Sequence, residues 1–340
     1  MPPQPGVIPL GPLRLGDIFN GVFSTVGRHG KQLLGVGAAA YGGALAVVVA
    51  AIAIAYSATS DHLDRVFSLS SDETPRTEDW VPIVIALCAI ALLCLITAVL
   101  STALMYAAVP AVLQEAVLGR PTTFSAVWRR AWARVPAVIG TVFLTWVIAM
   151  IPLVLAWAGV IALFIGLTSA GSSDGASAAL VVIGMLGALA TAPLAVWLWV
   201  KFSLAPSAVV FENQGPIAAL RRSSMLVRGD WWRIFGISLL AAAIAGVASY
   251  LIQLPFTFIG MFSGMLGSAN LSNDPNPASV VVAMSGYLIA IMIGQMVSQL
   301  IVATFPPLVT GLLYVDRRIR TENLGPVLAE AAAVPPRHTG

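Results

Sequence analysis

Residues 81–109 read VPIVIALCAIALLCLITAVLSTALMYAAV, without one charged side chain. A helix rises about 1.5 Å per residue, so about 20 apolar residues cross the hydrocarbon core of a bilayer. This stretch is long enough to do so with residues left over. Its Leu, Ile, Val and Ala show no alternation of apolar and polar positions, which a membrane barrel strand would need, and a helix satisfies its own backbone groups in lipid. Working outward, five more stretches share this character: residues 33–56, 136–168, 178–205, 234–264 and 280–315. The expectation is an all-α integral membrane bundle of six transmembrane helices. Pro152, Pro193 and Pro255 fall inside these stretches and are expected to bend them.

Composition agrees. The chain has 340 residues, 58% hydrophobic and 10% charged, with mean hydropathy +0.90, whereas soluble domains carry about 25% charged residues. The net charge of +3 and pI near 9.1 would suggest nucleic-acid binding in a soluble chain. Here the charges gather at the edges of the apolar stretches, so no nucleic-acid partner is expected. Of 18 Lys and Arg, 16 lie before the first stretch, in 110–135, in 201–233 or after 315, and only Arg65 and Arg76 lie in 57–80. The positive-inside rule then places the basic segments and both termini in the cytoplasm. Arg-rich, Ala- and Gly-rich usage suggests a bacterial genome, hence a multi-pass protein of the bacterial plasma membrane. The opening MPPQPGVIPLGPL has no basic segment followed by a short apolar run and a cleavage site, so the first apolar stretch is expected to be retained. Cys88 and Cys94, six apart in one helix, point to different faces and read as apolar fillers.

The first outer loop is acidic, with Asp61, Asp64, Asp72, Glu73, Glu78 and Asp79. Asp61, His62 and Asp64 could ligate a metal, but no second histidine cluster accompanies them, and a solvated loop is the expectation. The other outer loops, GSSDGAS (171–177) and SANLSNDPNP (268–277), have turn chemistry.

A recurrence runs along the basic segments. Gly11-Pro12, Gly119-Arg120-Pro121, Gly215-Pro216 and Gly325-Pro326 each open a similar stretch, and Pro110, Pro206 and Pro306-Pro307 end alternate apolar spans. The intervening residues have helical periodicity: Ile18, Phe19, Val22, Phe23 and Val26; Phe124, Val127, Trp128, Trp132 and Val135; Ile217, Leu220, Ser224, Val227 and Trp231. Arg14 and Arg28, then Arg129, Arg130 and Arg134, then Arg221, Arg222 and Arg228 accompany them. These predict three cytoplasmic interfacial amphipathic helices, each followed by a transmembrane hairpin, in repeats over about 11–110, 119–206 and 215–307. Residues 1–322 form one membrane domain and 323–340 a cytoplasmic tail. Glu115, Glu212 and Asp316 are placed to pair with Arg129 or Arg130, Arg221 or Arg222, and Arg317 or Arg318 in a collar.

Chemistry is sparse. The spans hold no ionisable residue except Lys201, near an end where it can snorkel, which argues against ion-coupled transport through the membrane centre. Gln253, Gln295 and Gln299 either bond between helices or line a polar groove. Gly260 and Gly264 form a GxxxG suited to close helix approach. HExxH, GxxxxGK[ST] and CxxC are all absent, and His29, His62 and His338 are scattered.

Four motifs, LGPLRLGDIFNGVF (10–23), GRPTTFSAVWRRAWAR (119–134), FENQGPIAALRRSSMLVRGDWWRIFG (211–236) and LLYVDRRIRTE (312–322), carry a resemblance over nearly the whole chain. They are similar to the actinobacterial membrane proteins labelled glycerophosphoryl diester phosphodiesterase membrane domain, and to related six-span families of unknown function such as the YciC-like group. In that family the label comes from fusions to a soluble phosphodiesterase barrel, for which 340 residues leave no room, so the resemblance implies a membrane module without hydrolytic activity.

The expected function is therefore non-enzymatic and without a cofactor: organising lipids or partner proteins at the cytoplasmic leaflet. Arg129, Arg130, Arg221, Arg222 and Arg228 would contact anionic headgroups, or serve orientation alone. Membrane lipids and a membrane protein partner or second copy are the expected partners. A transporter or channel component for an amphipathic or lipid-like solute is the alternative, with Gln253, Gln295 and Gln299 lining its groove. An intramembrane lipid-modifying enzyme would have to work through Glu115, Glu212 and Asp316.

Overall fold

The computed structural model describes residues 6–9, 11–68, 76–168, 175–271 and 277–333. Among these residues there is no strand, and six helical segments are long and apolar enough to cross a membrane. Helix α1 (Leu15–Gly37) continues through a π-helical turn (Ala38–Gly42) into α2 (Gly43–Phe67), making one rod. It pairs with α3 (Thr77–Val117). A second hairpin joins α4 (Phe124–Thr168) to α5 (Gly175–Phe202), followed by the short α6 (Ala205–Glu212) and α7 (Pro216–Val227). The third joins α8 (Trp231–Leu271) to α9 (Pro277–Val302), followed by α10 (Phe305–Glu322) and α11 (Leu324–Ala333). Along the hairpins apolar side chains face outward: Ile54, Ile85, Phe143, Phe164 and Phe262 are each roughly two-thirds exposed. In lipid such a surface is already in its preferred solvent, so the hairpins need little mutual burial.

The buried core lies at the basic end. There the last turns of α3 (Leu104, Ala108, Val112), α6 (Ala208, Val209) and α10 (Leu308, Leu312, Tyr314) meet the first turns of α1, α4 and α8. The segment before α1 belongs to this core: Val7, Ile8 and Leu13 are almost fully buried, and the Val7 amide donates to the Ala116 carbonyl at 3.2 Å. It thereby satisfies one of the carbonyls that the end of α3 leaves open. A side chain at Gly6 would strike the carbonyl oxygens of Ala116 and Val117, so this close approach requires glycine.

Two of the three amphipathic segments are not separate helices. Residues 15–30 run unbroken into the first span, and Phe124–Val135 run through Pro136 into α4. Only α7 stands apart, because Arg228 is extended and Gly229 takes φ of 95° before Asp230 leads into α8. The terminal prolines also differ among themselves. Pro206 and Pro306 start new helices within the first turn, where a missing N–H costs nothing, whereas Pro110 lies inside continuous α3. The tail begins with a helix, α11, whose Leu324 and Leu328, four residues apart, pack on the core; residues 334–340 lie outside the described residues. Asp72 and Glu73 of the acidic loop also lie outside them, while His62 and Arg65 face Asp79 at 3.6 and 3.1 Å. Of the GxxxG only Gly260 has described surroundings, and it lies close to α9, where a Cβ would come within 3.1 Å of the Tyr287 ring; the α4–α5 contact is tighter still, at Gly166 and Gly184.

Candidate functional site

Helix α10 brings an acid and four charged neighbours into the basic end. Asp316, fully buried, accepts from the Leu13 amide at 2.8 Å, from Arg233 of α8 and from Arg320 at 2.9 Å. Arg233 and Arg320 each also donate to the Leu13 carbonyl at 2.8 Å, so both backbone groups of Leu13 are clasped. Arg317, also buried, donates to the carbonyls of Leu226 and Arg228 and pairs with Asp230, closing the C-terminal end of α7. On the other side Glu212 accepts from Arg222 at 2.8 Å, from Gln214 at 2.7 Å and from the Tyr314 hydroxyl. Glu322 joins Arg222 to Arg318. Burial pulls the Arg222 pKa down, but its bonds to Glu212 and Glu322 outweigh that and hold it above the usual arginine value.

The expected acid–base pairs form at two of three positions: Glu115 with Arg130 at 2.8 Å, and Glu212 with Arg222. Asp316 instead takes Arg233 and Arg320, since Arg317 and Arg318, one and two residues on in the same helix, point to other neighbours. Among the five arginines expected to reach headgroups, Arg129, Arg221 and Arg228 are exposed, Arg130 is exposed but paired, and Arg222 is turned inward. These roles separate by mutation. Arg222→Gln is expected to cost about 1–2 kcal/mol of stability, as charged hydrogen bonds do, and Arg221→Gln to stay within about 0.5 kcal/mol. Thermal unfolding in detergent compares them; equal effects would contradict the inward placement of Arg222.

A second feature lies between the first hairpin and α9. A groove of about 450 Å³ is lined by Tyr41, Thr97, Ser101, Thr102, Gln295 and Gln299 among small and aliphatic residues. Tyr41 sits in the π-helical turn, whose Ala40 carbonyl accepts from Ser101 at 3.1 Å. Such turns wedge an extra residue into a helix and here aim a tyrosine at the groove. The Tyr41 hydroxyl is sealed from solvent, beside Thr102 and Gln299. Of the three glutamines, Gln295 and Gln299 reach this groove and Gln253 does not: it accepts from Ser298 at 3.2 Å, and Ser249 and Ser298 bond across the α8–α9 seam.

Sequence reading missed Tyr41, Arg233, Arg320 and the buried N-terminal segment. Val7, Ile8 and Leu13, spaced by Gly and Pro, were its available signal; the π-helical turn in an Ala- and Gly-rich run had none.

No curated protein and no solved structure matches the chain. A domain of unknown function, DUF7847, matches residues 13–315, starting at clasped Leu13 and stopping one residue short of Asp316. That supports the expected resemblance at its coarser level, an uncharacterised family with six membrane-span-like helices. With most of its length covered, the chain belongs to the DUF7847 family.

Proposed function

We propose that this chain is a non-enzymatic, multi-pass plasma-membrane protein with both termini in the cytoplasm, and that it holds lipid at the cytoplasmic leaflet. What carries the reading is the groove: hydroxyl and amide groups set in an apolar wall, open between two hairpins, suit the ester and hydroxyl groups of an amphiphile with its chains against aliphatic side chains. Its lining from Cys94 to Thr102 lies about 10–20 Å inside the basic edge of the span, near mid-membrane, where the chains of an amphiphile run and its headgroup does not. Exposed Arg129, Arg221 and Arg228 add attraction for anionic headgroups. The three units of amphipathic segment plus hairpin would act as one scaffold, with a partner protein or a second copy on its outward apolar faces. Glu115, Glu212 and Asp316, the candidates for lipid-modifying chemistry, are all engaged in ion pairs, which favours a holding role over catalysis.

The same groove also supports a second reading, passage of an amphipathic solute between the first and third hairpins. Ala44→Phe and Ala98→Phe put rings into its wall. Native mass spectrometry of protein released from nanodiscs is expected to show lipid retained by the wild type and largely lost from the double variant. Retention unchanged by the filling would contradict the proposal. Lipid or solute movement in proteoliposomes, abolished by the same variant, would move the reading to transport.

A further inference from the structure

A cavity of about 310 Å³ opens at the basic end, where the last turns of α5 meet α7 and the start of α8. Trp197, Lys201, Ser224, Met225, Arg228 and Trp231 line it, and its described lining residues include no carboxylate. The acids nearest in sequence are taken: Glu212 pairs with Arg222 and Asp230 with Arg317. Elsewhere at this end a partly buried guanidinium has its own carboxylate, as Arg222, Arg233 and Arg317 do. Lys201 is half-buried and Arg228 exposed, and neither has an ion-pair partner among the described residues. The Lys201 ammonium stands 4.3 Å from the Trp197 ring and 5.7 Å from that of Phe202, contacts that orient it without neutralising it. Two like charges lining one small cavity repel, and an anion between them is attracted by both.

The depth of the cavity selects the anion. Trp197, Trp199 and Trp232, in the turns that form it, are exposed, and exposed tryptophans gather where hydrocarbon meets headgroups. Lys201 stands in the last turn of α5, from which a lysine extends toward lipid phosphate. Met225, exposed on α7, offers an apolar edge to the start of an acyl chain. Ser224 gives its own proton to the Arg221 carbonyl at 2.8 Å, so its oxygen is left to accept from a hydroxyl. We propose that this cavity binds the phosphodiester of an anionic phospholipid whose headgroup carries a hydroxyl. Lys201 and Arg228 meet the phosphate oxygens, and Ser224 accepts from the hydroxyl. The site requires the membrane placement proposed above but not the groove, with which it shares no lining residue.

The test titrates dioctanoyl phosphatidylglycerol, dioctanoyl phosphatidylcholine and inorganic phosphate separately into the full chain in an uncharged detergent, read by calorimetry. Phosphatidylglycerol is expected to bind at least about tenfold more tightly than either of the others. Arg228→Gln and Lys201→Gln should each weaken it about tenfold, the loss of one charge-assisted hydrogen bond, and Ser224→Ala about threefold, the loss of a neutral one. Arg221→Gln, an exposed arginine outside the cavity, and Ala98→Phe, in the groove, should leave it unchanged. Arg228 is exposed, so its replacement should not disturb folding. Unchanged binding in Arg228→Gln overturns the proposal even should Lys201→Gln fail to fold. An equal loss in Arg221→Gln also overturns it, as the mark of diffuse surface charge, and so does phosphate binding as tight as the lipid's.

Discussion

Replacing Asp316 with Ala is expected to lower the stability of the chain by about 3–5 kcal/mol, the cost of removing one partner from a buried ionic cluster. The carboxylate has no exposed surface and takes hydrogen bonds from the Leu13 amide, Arg233 and Arg320. Without it two partly exposed guanidiniums lose their shared counter-ion, and the Leu13 amide loses its acceptor. The N-terminal segment, whose Val7, Ile8 and Leu13 fill the core, should detach with it. Asp316→Asn, of equal size, should recover little, since a neutral amide cannot balance two cations. Titration with SDS from a neutral micelle measures the loss, and limited proteolysis before residue 15 reports the release. A loss below about 1 kcal/mol, typical of an exposed ion pair, would mean the clasp is not closed in the membrane.

Gly184→Leu is the second large effect, expected at about 3 kcal/mol, the upper end of ordinary overpacking. A Cβ at Gly184 would stand 2.5 Å from the Leu163 amide nitrogen and 2.6 Å from the Gly159 carbonyl oxygen. Both are backbone atoms that no rotamer change can move aside. At Gly166, further along the same α4–α5 contact, a Cβ would come within 2.8 Å of the Val181 nitrogen. Helices in lipid gain association from close backbone packing, so forcing α4 and α5 apart removes what holds the hairpin. Gly187 supplies the contrast: its Cβ would meet the Gly159 Cα at 3.8 Å, an ordinary contact. Gly187→Ala is accordingly expected to be neutral or to stabilise by about 0.5–1 kcal/mol through helix propensity. The same SDS titration compares them, and equal behaviour of the two glycines would refute the packing derived for this hairpin.

Hydropathy in the sequence marked out the six spans, and the side carrying most arginines is legible there too. Each residue's preference for hydrocarbon over water is a local property that adds along the chain, and 29 uncharged residues in succession leave one answer. The Glu115–Arg130 and Glu212–Arg222 pairs were within reach, because short segments between spans bring residues fifteen and ten apart together. A break between the third amphipathic segment and its span was expected, but after Trp231; Gly229 puts it two residues earlier.

What only the tertiary structure decided is which charges face inward. Asp316 meets Leu13 across 303 positions and Arg233 across 83, and periodicity within one helix contains no term for a partner on another. Nothing local distinguishes Arg222, held by two glutamates, from exposed Arg221 beside it. Tyr41 reaches the groove because a single extra residue in one helical turn rotates it there, and the sequence of that turn is only alanine, tyrosine and glycine. Apolar surface is written residue by residue and survives any rearrangement of the helices. Ion pairs and cavities exist only between elements, so they were fixed when the helices packed.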